Sequence, residues 1–163
     1  GQGFFKILQA DGTTAYTRDG SFQLNSKGVI VTSSGLPLQP QITVPTNTTA
    51  VTIGTDGTVT ATVSGSSSTQ TLGQITLANF INPAGLEAMG NNLYKATDAS
   101  GTAVEGNPGT EAFGSIKQYA LENSNVSVVD EMVDMIATQR AYEMDTKLVS
   151  ASSEMLQYIA QNM

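Results

Sequence analysis

Cysteine, histidine and tryptophan are all absent from the 163 residues. Thiol, imidazole and disulfide chemistry are therefore excluded, and with them the usual zinc ligand sets. Positive charge is scarce. Seven Lys and Arg stand against fourteen Asp and Glu, a net charge of -7. That balance argues against nucleic acid or an anionic membrane as the main partner. No apolar run is long enough to span a bilayer, and no basic-plus-apolar leader is visible. The first residue is Gly1, not Met, and strand-like residues follow at once, so the chain reads as an excerpt of a longer protein.

One scarcity is local. Residues 127–163 contain neither Gly nor Pro, and apolar residues recur there at helical spacing. Val128, Met135, Tyr142, Val149, Leu156 and Met163 repeat every seven positions, with Met132 and Ala160 beside that line, as in a coiled-coil seam. Gln139, Thr146 and Ser153 are its polar members. A second line, Ala137, Ala141, Met144, Leu148, Ala151, Met155 and Tyr158, is spaced alternately four and three. It lies roughly 120–200° around the helix from the first. Ser127 is placed as N-cap, with Asp130 and Glu131 in the first turn where the helix dipole favours acids.

A helix lying on one core needs one apolar stripe. Two stripes predict a helix packed between neighbours, in a bundle or tube wall. About a dozen apolar side chains, at roughly 1.5–3 kcal/mol each if fully buried, make exposure costly even after ordering and association are deducted. The blander reading lays one stripe on the chain's own sheet and leaves Ala and Met of the other in water.

Residues 3–119 read as β throughout. Asp11-Gly12, Asp19-Gly20 and Asp56-Gly57 are type I′ hairpin signals. Short strands are expected at 4–8, 13–17, 21–24, 29–32, 42–44, 51–53 and 58–63, a long one at 71–80, and another at 113–121. Residues 83–90 read as a short helical turn and 97–109 as a loop. The fold class is mainly β with a long C-terminal α-helix, an antiparallel sandwich or barrel-like domain on a helical stalk. The domain division is 1–121 for the β-rich part and 122–163 for the helical part.

No catalytic site assembles from these residues. The commonest general base and the strongest nucleophile are missing. Asp130, Glu131 and Asp134 are explained as dipole-matched acids on a solvated first turn. The aspartates before glycine are explained by turns, and no alternating-oxygen calcium loop exists. Gly1-x-Gly3 precedes no helix and is no phosphate loop. The sequon matches at Asn47 and Asn125 are of a kind frequent by chance. No cofactor, metal or small-molecule substrate is expected.

Several motifs together resemble one family. Gly1-Gln2-Gly3-Phe4-Phe5, then Tyr16-Thr17-Arg18-Asp19-Gly20-Ser21-Phe22, is similar to the opening of the β domain in bacterial flagellar rod and hook proteins, and Gly28-Val29-Ile30-Val31-Thr32 continues it. Gly90-Asn91-Asn92-Leu93-Tyr94 and the loop at Gly106-x-Pro108-Gly109 resemble its later part. Leu121-Glu122-Asn123-Ser124-Asn125-Val126, Glu131-Met132-Val133-Asp134-Met135-Ile136 and Gln139-Arg140-Ala141-Tyr142-Glu143 resemble its C-terminal signature. Ala141-Tyr142-Glu143-Met144-x-x-Lys147 is most similar to distal rod members. Asp145 stands where Asn is common, and Ala120 where Gly is usual.

The resemblance implies a structural subunit of the flagellar basal-body rod, exported by the type III apparatus. Such subunits polymerise into a tubular shaft across the periplasm that carries torque to the hook. It implies terminal helices lining the tube and β domains outside. The implied partners are copies of itself, other rod and hook proteins, the periplasmic ring bushing and an N-terminal helix not contained in this sequence. A proximal rod or hook subunit is the alternative inside the family. A secreted β-rich binding module is the alternative outside it, and a hydrolase using the acidic cluster ranks last.

Overall fold

The computed structural model describes residues 1–65 and 68–161. Contacts divide the chain into two compact units, Gly1–Ala120 and a second that begins at Leu121.

The first unit is built of short strands: β1 (Phe4–Leu8), β2 (Thr14–Thr17), β3 (Gln23–Leu24), β4 (Ile30–Val31), β5 (Leu38–Gln39) and β6 (Thr48–Ile53). There follow β7 (Thr58–Val63), β8 (Thr69–Gln74), β9 (Leu77–Asn79), β10 (Glu87–Gly90), β11 (Leu93–Lys95) and β12 (Val104–Gly106). All the pairings are antiparallel. A seven-stranded sheet runs β10-β11-β2-β1-β9-β12, with β5 also on β1. Separate sheets are formed by β3-β4 and by β6-β7-β8, and none of them closes into a barrel.

β1 is the axis of the larger sheet. β2 takes one edge, while β9 pairs with Phe4 and Phe5 and β5 with Lys6 and Ile7 on the other. Alternate side chains of β1 point to opposite faces, and each face has its own cluster. Ile7, Ala15 and Leu38 belong to a core with Ile30, Ile42, Val59, Ile75 and Leu93. Phe4, Tyr16, Ala78 and Phe80 make the other. In it Phe80 meets Phe4 and Tyr16 edge-on, at ring distances of 5.8 and 4.8 Å, a geometry that aligns ring edge with ring face. The Arg18 guanidinium lies 4.7 Å above the Phe4 ring. Burial, and secondarily Glu105, pushes the Tyr16 phenol above its ordinary pKa.

The turns differ from the sequence expectation. At residues 9–13, 25–29, 32–36 and 54–58 the first N–H donates to the fifth carbonyl, and the fourth N–H to the first carbonyl. The glycine at the fourth place alone takes positive φ, as at Gly12 (83°) and Gly57 (84°). That is the three-residue loop with a G1 bulge, not type I′, which needs two successive residues at positive φ. The type I′ pair is Asn91-Asn92, at φ 52° and 59°, joining β10 to β11. Asp11 and Asp56 act through their carboxylates, each accepting from the N–H and hydroxyl of the threonine two residues on. Asp19 does the same for Ser21, but Gly20 closes no hairpin, because β2 and β3 belong to different sheets.

Four further expectations change, the first being that residues 42–44 form no strand and give only an isolated bridge from Thr43 to Val29. The strand expected at 71–80 is two strands in two sheets, parted at Ile75, whose N–H donates to the Gly57 carbonyl. Residues 83–90 hold a 3₁₀ turn, Pro83–Gly85, and then β10. The expected loop at 97–109 contains β12, held on β9.

The second unit is one helix, α1 (Val128–Gln161), 34 residues long, about 50 Å at 1.5 Å per residue. Ser127 caps it as expected. Its hydroxyl accepts from the Asp130 N–H and its carbonyl from the Glu131 N–H.

Candidate assembly helix and the exit segment of the β unit

Every residue of α1 from Val128 to Ala160 is exposed. Its large apolar side chains keep 48–72% of their surface in solvent. Of the first seam, Val128, Met132, Met135, Tyr142, Val149 and Leu156 all lie on the helix and are exposed; Met163 lies outside the described residues. Of the second, Met144, Leu148, Met155 and Tyr158 are exposed, as are the smaller Ala137, Ala141 and Ala151. One continuous helix carries both lines, so helical geometry puts them on opposed sides.

Some polar side chains turn inward on the helix itself. Thr138, Thr146 and Ser150 donate hydroxyls to the carbonyls of Asp134, Glu143 and Lys147. Thr146, a polar member of the first seam, thereby satisfies its hydroxyl locally. Val129, Val133, Ile136 and Ile159 are exposed as well and belong to neither seam. The heptad count passed over them, although the run from Val128 to Ile136 is apolar at two positions in three. The N-terminal third of α1 is thus apolar around most of its girth.

In the β unit the segment expected as a strand at 113–121 forms none. It is held instead at alternate positions. The Phe113 ring lies so close to Gly106 that a Cβ there would come within 2.2 Å of it. Gly114 donates to the Gln2 carbonyl at 2.8 Å and Ile116 to the Thr55 carbonyl at 3.2 Å. Gln118 donates through Nε2 to the Val51 carbonyl at 3.2 Å and accepts from the Ile53 N–H at 3.1 Å. At Gln118 a side-chain amide takes the place of a backbone ladder bond.

Chemistry has little to work with. Two recesses in the β unit, of about 440 Å³ beside Lys6 and Glu105 and about 380 Å³ beside Leu24 and Thr48, are open to solvent. Lys6 is already paired with Glu105 at 2.5 Å. Asp130, Glu131 and Asp134 are all exposed on the first turns of α1. Among the described residues no group of acidic side chains is placed to hold a metal, and no helix is long and apolar enough to cross a membrane.

Comparison with known proteins gives this arrangement a context. Residues 1–61 match the family described as flagellar hook protein FlgE/F/G D1 domain. Residues 117–162 match the flagellar basal body rod FlgEFG protein C-terminal family. The flagellar basal-body rod protein FlgG of Buchnera aphidicola subsp. Acyrthosiphon pisum is 48% identical over 161 residues, covering 99% of this chain and 62% of its own length. FlgG of Caulobacter vibrioides is 47% identical, with the same coverage of both chains. The flagellar hook protein FlgE of Escherichia coli is 43% identical over 104 residues, 64% of this chain and 26% of its own length. The chain spans about three fifths of the FlgG relatives it matches. With both ends matched by rod and hook families, and FlgG likeness running across nearly all of it, the chain belongs to the bacterial flagellar rod and hook axial protein family.

Proposed function

We propose that this chain is a structural subunit of the flagellar basal-body rod, most like the distal rod, working as part of a tubular shaft that carries torque from motor to hook. The observation that carries the reading is α1, a helix of 34 residues with apolar side chains on opposed sides, all exposed. Burying such a helix takes at least two neighbours. One seam packs on a helix supplied by the N-terminal part of the subunit, the other on adjacent copies. Residues 122–163 then belong to the inner wall and residues 1–121 to an outer β layer.

On this reading the partners are copies of itself, other rod and hook proteins, and the periplasmic ring bushing. Nucleic acid and small-molecule substrates have no part, and the chain is not an enzyme. The place of work is the periplasm-spanning rod of the basal body, reached by type III export. Torque passes through many shared apolar contacts, so no single reactive group carries the function.

The test is two pairs of charge insertions, Met135→Asp with Leu156→Asp on the first seam and Leu148→Asp with Met155→Asp on the second. Each double variant is expected to stop rod assembly and motility while the β unit keeps its strand circular dichroism. Normal rods from both would overturn the proposal.

A further inference from the structure

We infer that Gln118 is a positioning residue: its side-chain amide closes the free edge of β6 and sets the point where the chain leaves the β unit. β6 is the end strand of its sheet, with β7 on one side only. The other edge of such a strand presents N–H and C=O groups in search of partners. Val51 C=O and Ile53 N–H are two such groups on one edge, and the Gln118 amide meets both, donating to the first and accepting from the second. In donor and acceptor order it replaces one residue of a parallel neighbouring strand, which donates to one residue and accepts from the next but one. These bonds close contacts across 67 and 65 residues of sequence.

Among residues 113–120 Gln118 is the last to be tied. Gly114 and Ile116 are held through their N–H groups. Tyr119, next after Gln118, takes φ +57° and is 97% exposed. Among the described residues neither Tyr119 nor Ala120 has a hydrogen-bond partner. Losing the amide moves the last fixed point back to Ile116 and frees Lys117 and residue 118. A glutamate there, when ionised, cannot donate to Val51 and sets a carboxylate oxygen against that carbonyl, which pushes the side chain off the edge and loosens its bond to the Ile53 N–H; it donates again only when protonated.

Amide hydrogen exchange and limited tryptic cleavage after the exposed Lys117 test this on the full chain. Gln118→Ala is expected to speed exchange of the Ile53 amide about tenfold, the scale of one or two net hydrogen bonds, and to speed cleavage after Lys117. Exchange at the buried Ile7 amide stays as in the parent. For Gln118→Glu, the Ile53 exchange rate relative to the parent at the same pH is expected to fall back toward unity below the ordinary Glu pKa, about 4.3. A side chain acting by packing alone gives no such pH dependence. Unchanged Ile53 exchange in Gln118→Ala, a pH-independent ratio in Gln118→Glu, or equal loss of protection at Ile7 would each overturn the inference. The inference concerns the β unit alone and does not rest on the rod reading. Normal rods from the seam variants would leave an exchange result standing.

Discussion

Lys6 sits mid-strand in β1 with 8% of its surface exposed, and its ammonium meets Glu105, which is mostly in solvent. The two residues are 99 positions apart, brought together because β9 pairs with β1 on one side and β12 on the other. Removing the acid strands a nearly buried charge, whereas removing both charges does not. Glu105→Gln is therefore expected to lower unfolding stability by about 1–2 kcal/mol, below the cost for a fully buried pair because the glutamate is largely screened. Lys6→Met with Glu105→Gln is expected to recover most of it. Urea denaturation of the three proteins checks this, and equal losses in both variants would contradict it. Nothing in the sequence marked this pair. Lys6 stood in an expected strand with no partner indicated, and residue 105 fell in an expected loop.

At the scale of elements, α1 was legible and the strands were legible only in part. A helix repeats its pattern locally, so spacing alone located α1, its cap and both apolar lines. Sheet partners are non-local. The break at Ile75 shows the difference: residues 71–80 contain no Pro and no turn dipeptide, and the division into β8 and β9 comes from the sheets each half joins. Turn type was misread for a related reason. Asp-Gly fits both a type I′ turn and a G1-bulge loop, and strand register decides between them. The exposed apolar faces of α1 carry their own expectation. The full chain is expected to self-associate with rising concentration, and a version ending near Leu121 to remain monomeric. Light scattering and circular dichroism compare them, and a monomeric full chain with a complete helix would speak against the need for neighbours.

For the whole molecule, acid sensitivity follows from the repeated aspartate turns. Hydrogen bonds from Thr13, Ser21 and Thr58 hold the carboxyls of Asp11, Asp19 and Asp56 below their ordinary value of 3.8. A folded-state pKa lowered in this way adds stability above the unfolded-state value, which is lost as pH falls through the folded one. Thr13→Val and Thr58→Val together remove the largest cause at two of these turns. The variant is expected to melt below the parent near about pH 6 and to converge on it near about pH 2. A gap that stays constant across that range would assign the loss to packing.

Composition and spacing alone determined that the chain lacks thiol and imidazole chemistry, that its first part is β and its last a helix, and that this helix is apolar on two sides. Those are properties of composition and of local periods, which need no knowledge of partners distant in the chain. The tertiary structure alone decided that β1 divides one edge between β9 and β5, that Lys6 meets Glu105, and that Gln118 fills the edge of β6. Each joins residues remote in sequence, and only chain closure in space, with the pairing of backbone groups it imposes, selects them.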